Sequence, residues 1–518
     1  MKLLILFAAV LNAEDPVRMQ PYRQAQVAFA VPKDPAILKA LAGWKQTATA
    51  AGGATWTISN PGVWREDPNA PALDRKRYFA SRRWLPSDQA TALAPGADGG
   101  MWVQTTAGAA HISFPRMTLQ AKADVFERRV EERHNRHGMV ASSRLRESGN
   151  LSSNFPVSSD NDGLWTAMYG AAECFRYAAS KSPEALQRAR RSVEALFKLE
   201  AITGRPGLPA RSYILPSEPR PRDGVWYQHP SQALLWKGDT SSDEIVGYYY
   251  LFSIAHDLIP DAKLRKSIEA VVRRMTDHIL EHGLTLTDIH GQPTYWGRWD
   301  QEYFSTPRGK ADVPLNTIEI LSFLKVAHHI TGDARYNAEY RRLALAEGYA
   351  KMSATYNPPQ GRINYSDEEL AMLSFYPLLV YEKDPALRSL YHQALDQWWN
   401  NMQREKNPLW IFIRAAANPA SNAPLRDAVW TLQRIPMDLL DWKITNSHRP
   451  EIAMRETSDR FGRRESKDLL PPDERPTMKW NGNPFRVDSE GQGLSEDDGA
   501  FFLLPYWMGR YHRFLLGQ

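Results

Sequence analysis

Four acidic runs each stand directly before an apolar stretch: Ser158-Ser-Asp160-Asn-Asp162-Gly-Leu-Trp165, Lys237-Gly-Asp239-Thr-Ser-Ser-Asp243-Glu244, Asn364-Tyr-Ser-Asp367-Glu368-Glu369 and Ser495-Glu-Asp497-Asp498. One such run is ordinary helix-start chemistry, since Ser, Asp and Asn accept hydrogen bonds from the free amides of a first turn. Four that converge would line a pocket with carboxylates, whose mutual repulsion raises some of their pKa values. Glycoside hydrolysis needs that split: one carboxyl stays protonated for the leaving oxygen while another, about 5 Å or about 7 to 9 Å away, is ionised. Asp162 is the central candidate, with Asp160 or Asp243 as its charged neighbour. A helix N-terminus by itself favours the anion, so a neighbouring charge or burial must oppose it if Asp162 is an acid.

The same helix starts offer Trp165, Asp239, Asn364, Glu368 and Asp498, with Asp367, as substrate contacts. Aromatic platforms are expected from Trp296 and Trp299, which sit in a long connection, while Trp398 and Trp399 suit packing. Arg211, Lys237, Arg298 and Arg449 are candidates to hold a sugar carboxylate. The acidic runs also admit a plain capping reading, strongest at Asp243 and Glu244, where a capping box would serve.

Helix pairs must position these residues. Outer-helix starts recur at Pro183-Glu-Ala-Leu186, Asp261-Ala-Lys-Leu264, Asp333-Ala-Arg-Tyr336, Asp384-Pro-Ala-Leu387 and Pro424-Leu425, each following an apolar helix. The apolar helices are Leu164 to Tyr177, Ile245 to Leu258, Ile318 to Ile330, Leu370 to Val380, Leu409 to Ala416 and Ala500 to Phe514. Outer helices such as Ala185 to Leu199 alternate charged and apolar residues at three- and four-residue spacing, the pattern of one buried face. The fold class is mainly α: an (α/α)6 toroid of helical hairpins over 117–518, with a small N-terminal β module over 14–116. Long connections (Gly204 to Ser242, Leu284 to Leu315, Arg434 to Asp498) precede the inner helices, so the acidic starts should gather at one mouth.

Composition bounds the partners. The 518 residues are 43% hydrophobic, and 64 basic against 59 acidic side chains give a net charge of +5 without a concentrated patch. That spread supports neither a nucleic-acid groove nor a polybasic membrane patch, and no segment beyond the N-terminal run approaches the about twenty apolar residues that stable membrane insertion needs. Cys174 is the only cysteine, which excludes an internal disulfide or a cysteine zinc site, and the histidines lack spacing for catalytic zinc. No cofactor is expected. Met1-Lys2, the apolar run Leu3 to Leu11 and Asn12-Ala13 read as a signal peptide over 1–13, hence export to the periplasm or beyond.

Asp162-Gly-Leu-Trp-Thr-Ala resembles the helix start of unsaturated glucuronyl and rhamnogalacturonyl hydrolases, and the helix pairing resembles the wider six-hairpin glycosidase superfamily. The resemblance implies that Asp162 is the general acid and base, as the matching Asp is on an unsaturated uronyl sugar, and the expected activity is hydrolysis of a uronate-containing poly- or oligosaccharide. The chain departs from the pattern at Asp160, where an aromatic is favoured. Leu85 to Ala94 followed by Asp98 to Gly108 resembles one blade of a two-component-regulator β-propeller, and no second copy follows. Thr118 should cap a helix, Leu119 to His134, leading from the sheet to the ring. Two other functions remain open: a polysaccharide lyase using Tyr365, His448 and Arg449, and a noncatalytic saccharide-binding protein.

Overall fold

The hairpin corners form through the caps that their sequences offer. Ser182 accepts from the Ala185 amide at 3.3 Å, Asp261 from Lys263 and Leu264 at 3.0 Å each, and Asp384 from Ala386 at 2.9 Å. The computed structural model describes residues 14–358, 362–476, 478–479 and 481–517, and the expected signal peptide, 1–13, lies outside the described residues.

Thirteen helices of eight residues or more are present among the described residues. Helix α1 (Pro35–Ala42) belongs to the β module. The rest are α2 (Leu119–Arg129), α3 (Asp162–Ser180), α4 (Pro183–Ala201), α5 (Ser242–Leu258), α6 (Ala262–Glu281), α7 (Gly309–Thr331), α8 (Ala334–Arg341), α9 (Tyr365–Tyr381), α10 (Pro385–Met402), α11 (Pro408–Ala417), α12 (Leu425–Arg434) and α13 (Ala500–Tyr511). Helices α3, α5, α7, α9, α11 and α13 pack each against the next, and α13 returns to α3, closing a ring of six. They are buried on nearly every side, which is why their sequences are apolar all round rather than striped. Close approach is needed: a Cβ on Gly247 of α5 would stand 3.0 Å from the Leu164 backbone of α3.

The outer ring is α4, α6, α8, α10 and α12, completed by α2, which packs against α13. The helix expected merely to connect sheet and ring is thus the outer partner of the last inner helix. It is capped as expected, Thr118 Oγ1 accepting from the Ala121 amide at 3.0 Å, and it continues through a wider turn, Val130–His134. A second difference lies at α7, which begins at Gly309, nine residues before Ile318; Pro314 lies inside it. Pro314 is the sixth residue of the helix, past the four free amides of its start, so it leaves the Lys310 carbonyl without the amide that would ordinarily pair with it.

The N-terminal segment forms two four-stranded antiparallel sheets, one ordered Gln26–Phe29, Gly108–Ser113, Met101–Thr105, Ala90–Pro95, the other a meander from Thr47–Thr49 to Lys76–Phe79. They share one core of Trp56, Val63, Phe79, Leu93, Val103 and Ile112. The two strands within the blade-like repeat, Ala90–Pro95 and Met101–Thr105, are neighbours in the first sheet. Buried charge ties this module to the ring: Asp473 takes Arg77 from the module and Arg434 from α12, both at 2.6 Å. Burial opposes the charge of Asp473, but the two guanidiniums win and hold its carboxyl down at about 2. Removing one partner leaves Asp473 with the other, so Arg77→Gln is expected to cost about 2 kcal/mol, read as a lower midpoint in urea denaturation.

Candidate functional site

The N-termini of the first four inner helices open on one cleft of about 720 Å3. Asp160 and Asn161 precede α3, Asp243 lies in the first turn of α5, Asp312 in that of α7 and Asp367 in that of α9; all five line the cleft. Near the starts of α11 and α13, Pro472, Arg475, Met478, Lys479, Gly482 and Pro484 line a separate small cavity with Pro408 and Phe501.

The carboxylates at the cleft act on one another. Burial, then the charges of Asp312 and Asp243, push the Asp367 carboxyl up to about 7, although Asn364 donates to it at 2.5 Å. Here burial and like charge outweigh the helix N-terminus, which favours an anion. Burial also raises Asp312, which accepts from Tyr303 Oη at 2.5 Å. Beneath them Glu319, ten residues after the start of α7, is pushed far up by burial and by Asp243, Asp367 and Asp312 together. Asp243 is held differently: Ser241 Oγ donates to it at 2.7 Å and Asn161 Nδ2 at 3.1 Å. Asn161 is fixed in turn by Arg211, whose Nη2 donates to its Oδ1 at 2.6 Å. Arg211 Nε also donates to the Asp160 carbonyl at 2.8 Å and Nη1 to the Asp239 carbonyl at 3.1 Å, so one side chain ties the first two helix starts together.

Of the residues expected at the site, Asp160, Asp243, Arg211, Trp296, Asn364 and Asp367 line the cleft. Trp296 is 44% exposed on the strand Pro293–Arg298. Asp239 does not line the cleft but accepts from the Tyr295 amide at 3.0 Å, anchoring that strand.

Asp162 is the main correction. It is fully buried and pairs with Arg136 at 2.6 Å, while Ser212 Oγ donates at 2.5 Å and Ser159 gives its amide at 3.0 Å and its hydroxyl at 2.6 Å. Both oxygens are thus engaged below the floor of the cleft. Lys237 is also buried, paired with Asp160 and with Asp223 at 2.8 Å. Trp299 is wholly buried, donating to Glu319 at 2.8 Å, and Arg298 pairs with Asp300 at 2.9 Å. Glu368 faces Glu405 inside the protein, and burial raises both carboxyls, Glu405 to about 7. Trp165 packs under Lys479 at 4.9 Å, and Asp498 caps α13 through the Ala500 amide at 2.7 Å. His448 and Arg449 contact Tyr78 of the β module, at 3.3 Å from Nε2 and 4.3 Å from the ring respectively, whereas Tyr365 lines the cleft; the three lyase candidates do not converge.

Other lining residues were not anticipated. Asp312 was obscured by Pro314, which reads as a helix boundary although Gly309-Lys-Ala-Asp312 already forms the first turn. Its neighbour Arg308 lies over the rings of Tyr295 at 3.4 Å and Trp296 at 4.3 Å. Arg460, Phe461 and Arg463 come from the 434–498 connection, which has no periodicity to locate them. The charged run Asp459-Arg-Phe-Gly-Arg-Arg464 was the available signal.

Among the described residues, His256, Asp257 and His329 bring three donor atoms within 4.8 Å of one another, at the opposite ends of α5 and α7 from the cleft. Among the described residues no helix is long and apolar enough to cross a membrane.

No family model matches the chain, and no curated protein matches it. Among solved structures, 95% of the chain is similar to 99% of a family 76 glycoside hydrolase from a bovine Bacteroides thetaiotaomicron strain, at 9% identity and a TM-score of 0.41. A thermostable endoglucanase from Alicyclobacillus acidocaldarius is similar over 91% of this chain and 99% of its own, at 12% identity and 0.40. A sugar epimerase from a ruminal bacterium is similar over 75% of this chain and 97% of its own, at 12% and 0.41. Likeness at this level identifies neither substrate nor reaction.

Proposed function

We propose that the protein is a glycoside hydrolase acting on uronate-containing oligo- or polysaccharides, with Asp367 as general acid and Asp243 as general base. The observation that carries this reading is the gathering of Asp243, Asp312 and Asp367 from three successive inner helices on one cleft, with Asp367 raised to about 7. A carboxyl of that kind still holds a proton near neutrality and can pass it to a departing glycosidic oxygen. Asp243, held by Ser241 and Asn161, is placed to take a proton from the attacking water. Asp312 contributes charge that keeps Asp367 protonated.

An anionic substrate suits the rest of the lining. Arg308, Arg460 and Arg463 face the cleft, and among the described residues none has a carboxylate within 4.0 Å. Arg308 gives its Nη2 to the Tyr295 carbonyl at 3.0 Å, but a guanidinium without an internal carboxylate is still available to a sugar carboxylate. Export is part of the proposal and rests on the Met1 to Ala13 pattern alone. The test is to incubate the full chain with oligomers of galacturonate and glucuronate and with neutral glucans, measuring new reducing ends and ultraviolet absorbance. Reducing ends from uronates without an absorbing double bond are expected. Absorbing products would indicate β-elimination, and binding without turnover across the panel would make the cleft a noncatalytic saccharide site.

A further inference from the structure

Of the large apolar side chains that are well exposed among the described residues, two line the cleft: Trp296 at 44% and Phe461 at 63%. Single exposed apolar residues are common and need no cause. These two share a construction that scatter would not produce. Trp296 carries the Arg308 guanidinium 4.3 Å from its ring, and Phe461 carries Arg463 at 4.6 Å and Arg460 at 5.0 Å. The two platforms come from unrelated segments, one between α6 and α7 and the other between α12 and α13.

Phe461 is also held out rather than left loose. Asp459 Oδ1 accepts from the amides of Phe461 and Arg463, both at 2.9 Å, and the Asp459 amide donates to the Arg463 carbonyl at 2.9 Å. Gly462 turns the chain at φ +76°, where a side chain would be strained. Asn483 then ties this tip to its base, donating to Asp459 at 3.2 Å and to Glu465 at 2.9 Å. The tip therefore displays its ring at the cleft on a preorganised turn, forgoing the burial that a large apolar side chain ordinarily gains.

We infer that Phe461 is a second stacking platform, from whose ring Arg460 and Arg463, over it at 5.0 and 4.6 Å, swing aside to take the carboxylate of the sugar that it holds, so that the bound chain runs from Trp296 to Phe461 and the substrate is an oligomer longer than a disaccharide. The inference rests on the reading of the cleft as a saccharide site. A pyranose lays its C–H face on an aromatic ring while its polar groups turn outward, and a few placed charges at the ring edge then fix its orientation.

The experiment is calorimetric titration of the full chain carrying Asp367→Asn, so that binding is read without turnover, using digalacturonate, hexagalacturonate and cellohexaose. Adding Phe461→Ala is expected to weaken the hexauronate about tenfold, the loss of one good contact, to leave the dimer unchanged, and Phe461→Trp is expected to restore the hexamer. Equal loss for dimer and hexamer, or no loss for either, overturns the second platform. Cellohexaose binding as tightly as the hexauronate overturns the arginines' part. If the parent variant binds none of the three, the saccharide reading of the cleft falls, and the platform with it.

Discussion

Asp367→Asn is expected to lower turnover of a uronate oligosaccharide by about a thousandfold, within the range that one acid–base group contributes, while the protein stays folded. The substitution keeps the shape of the side chain and its contact with Asn364 Nδ2 at 2.5 Å, but removes the transferable proton. It should also stabilise. Burial and the charges of Asp312 and Asp243 raise the folded carboxyl from an ordinary value of 3.8 to about 7. A folded pKa raised above the unfolded one means that ionisation costs the folded state: the contribution is most favourable below the unfolded pKa and is lost as pH rises through the folded value. At pH 8 the wild type carries that cost and the amide does not, so the variant should be more stable there by on the order of 2 kcal/mol, with the difference vanishing near pH 4. Calorimetric midpoints at the two pH values check this, and lower stability at pH 8 would count against the raised carboxyl.

Asp162→Ala is expected to behave in the opposite way, losing stability by about 3 to 5 kcal/mol as an uncompensated buried charge does. It would strand Arg136, which is buried and gives Asp162 its Nη2 at 2.6 Å, and would leave Ser212 and Ser159 without their acceptor. Arg136 keeps Glu218 at 3.0 Å and the Tyr213 carbonyl at 2.7 Å, which moderates the loss without removing it. Whatever protein remains folded should keep the wild-type kcat, because Asp162 has no face on the cleft. A stable Asp162→Ala protein with abolished turnover would return Asp162 to the catalytic role that its local sequence resemblance implies.

The hairpin architecture was legible because both of its signals are local. Caps such as Asp261 and Asp384 are readable from a few residues, and helices apolar on every side can only lie at the centre of a ring. The convergence of Asp160, Asp243 and Asp367 followed from that ring, since the first four inner helices start at the same cleft. Rotation about each helix axis was not legible. Asp160 and Asp162 are two residues apart, yet one lines the cleft and the other points beneath it to Arg136, a partner fixed by a separate strand. Lys237 and Trp299 failed for the same reason: what a side chain faces depends on partners such as Asp223 and Glu319 that sequence spacing does not supply. The long connections hid most, because Phe461 and its arginines owe their place to the Asp459 turn and its tie to Asn483.

The most direct test of the acid–base assignment is the pH dependence of kcat/KM on whichever uronate oligosaccharide is hydrolysed. With Asp367 as the acid at about 7, the wild-type rate should fall tenfold per pH unit above that value, and the residual rate of Asp367→Asn should show no such limb. A wild-type rate that stays level or climbs between pH 7 and pH 9 would contradict the account.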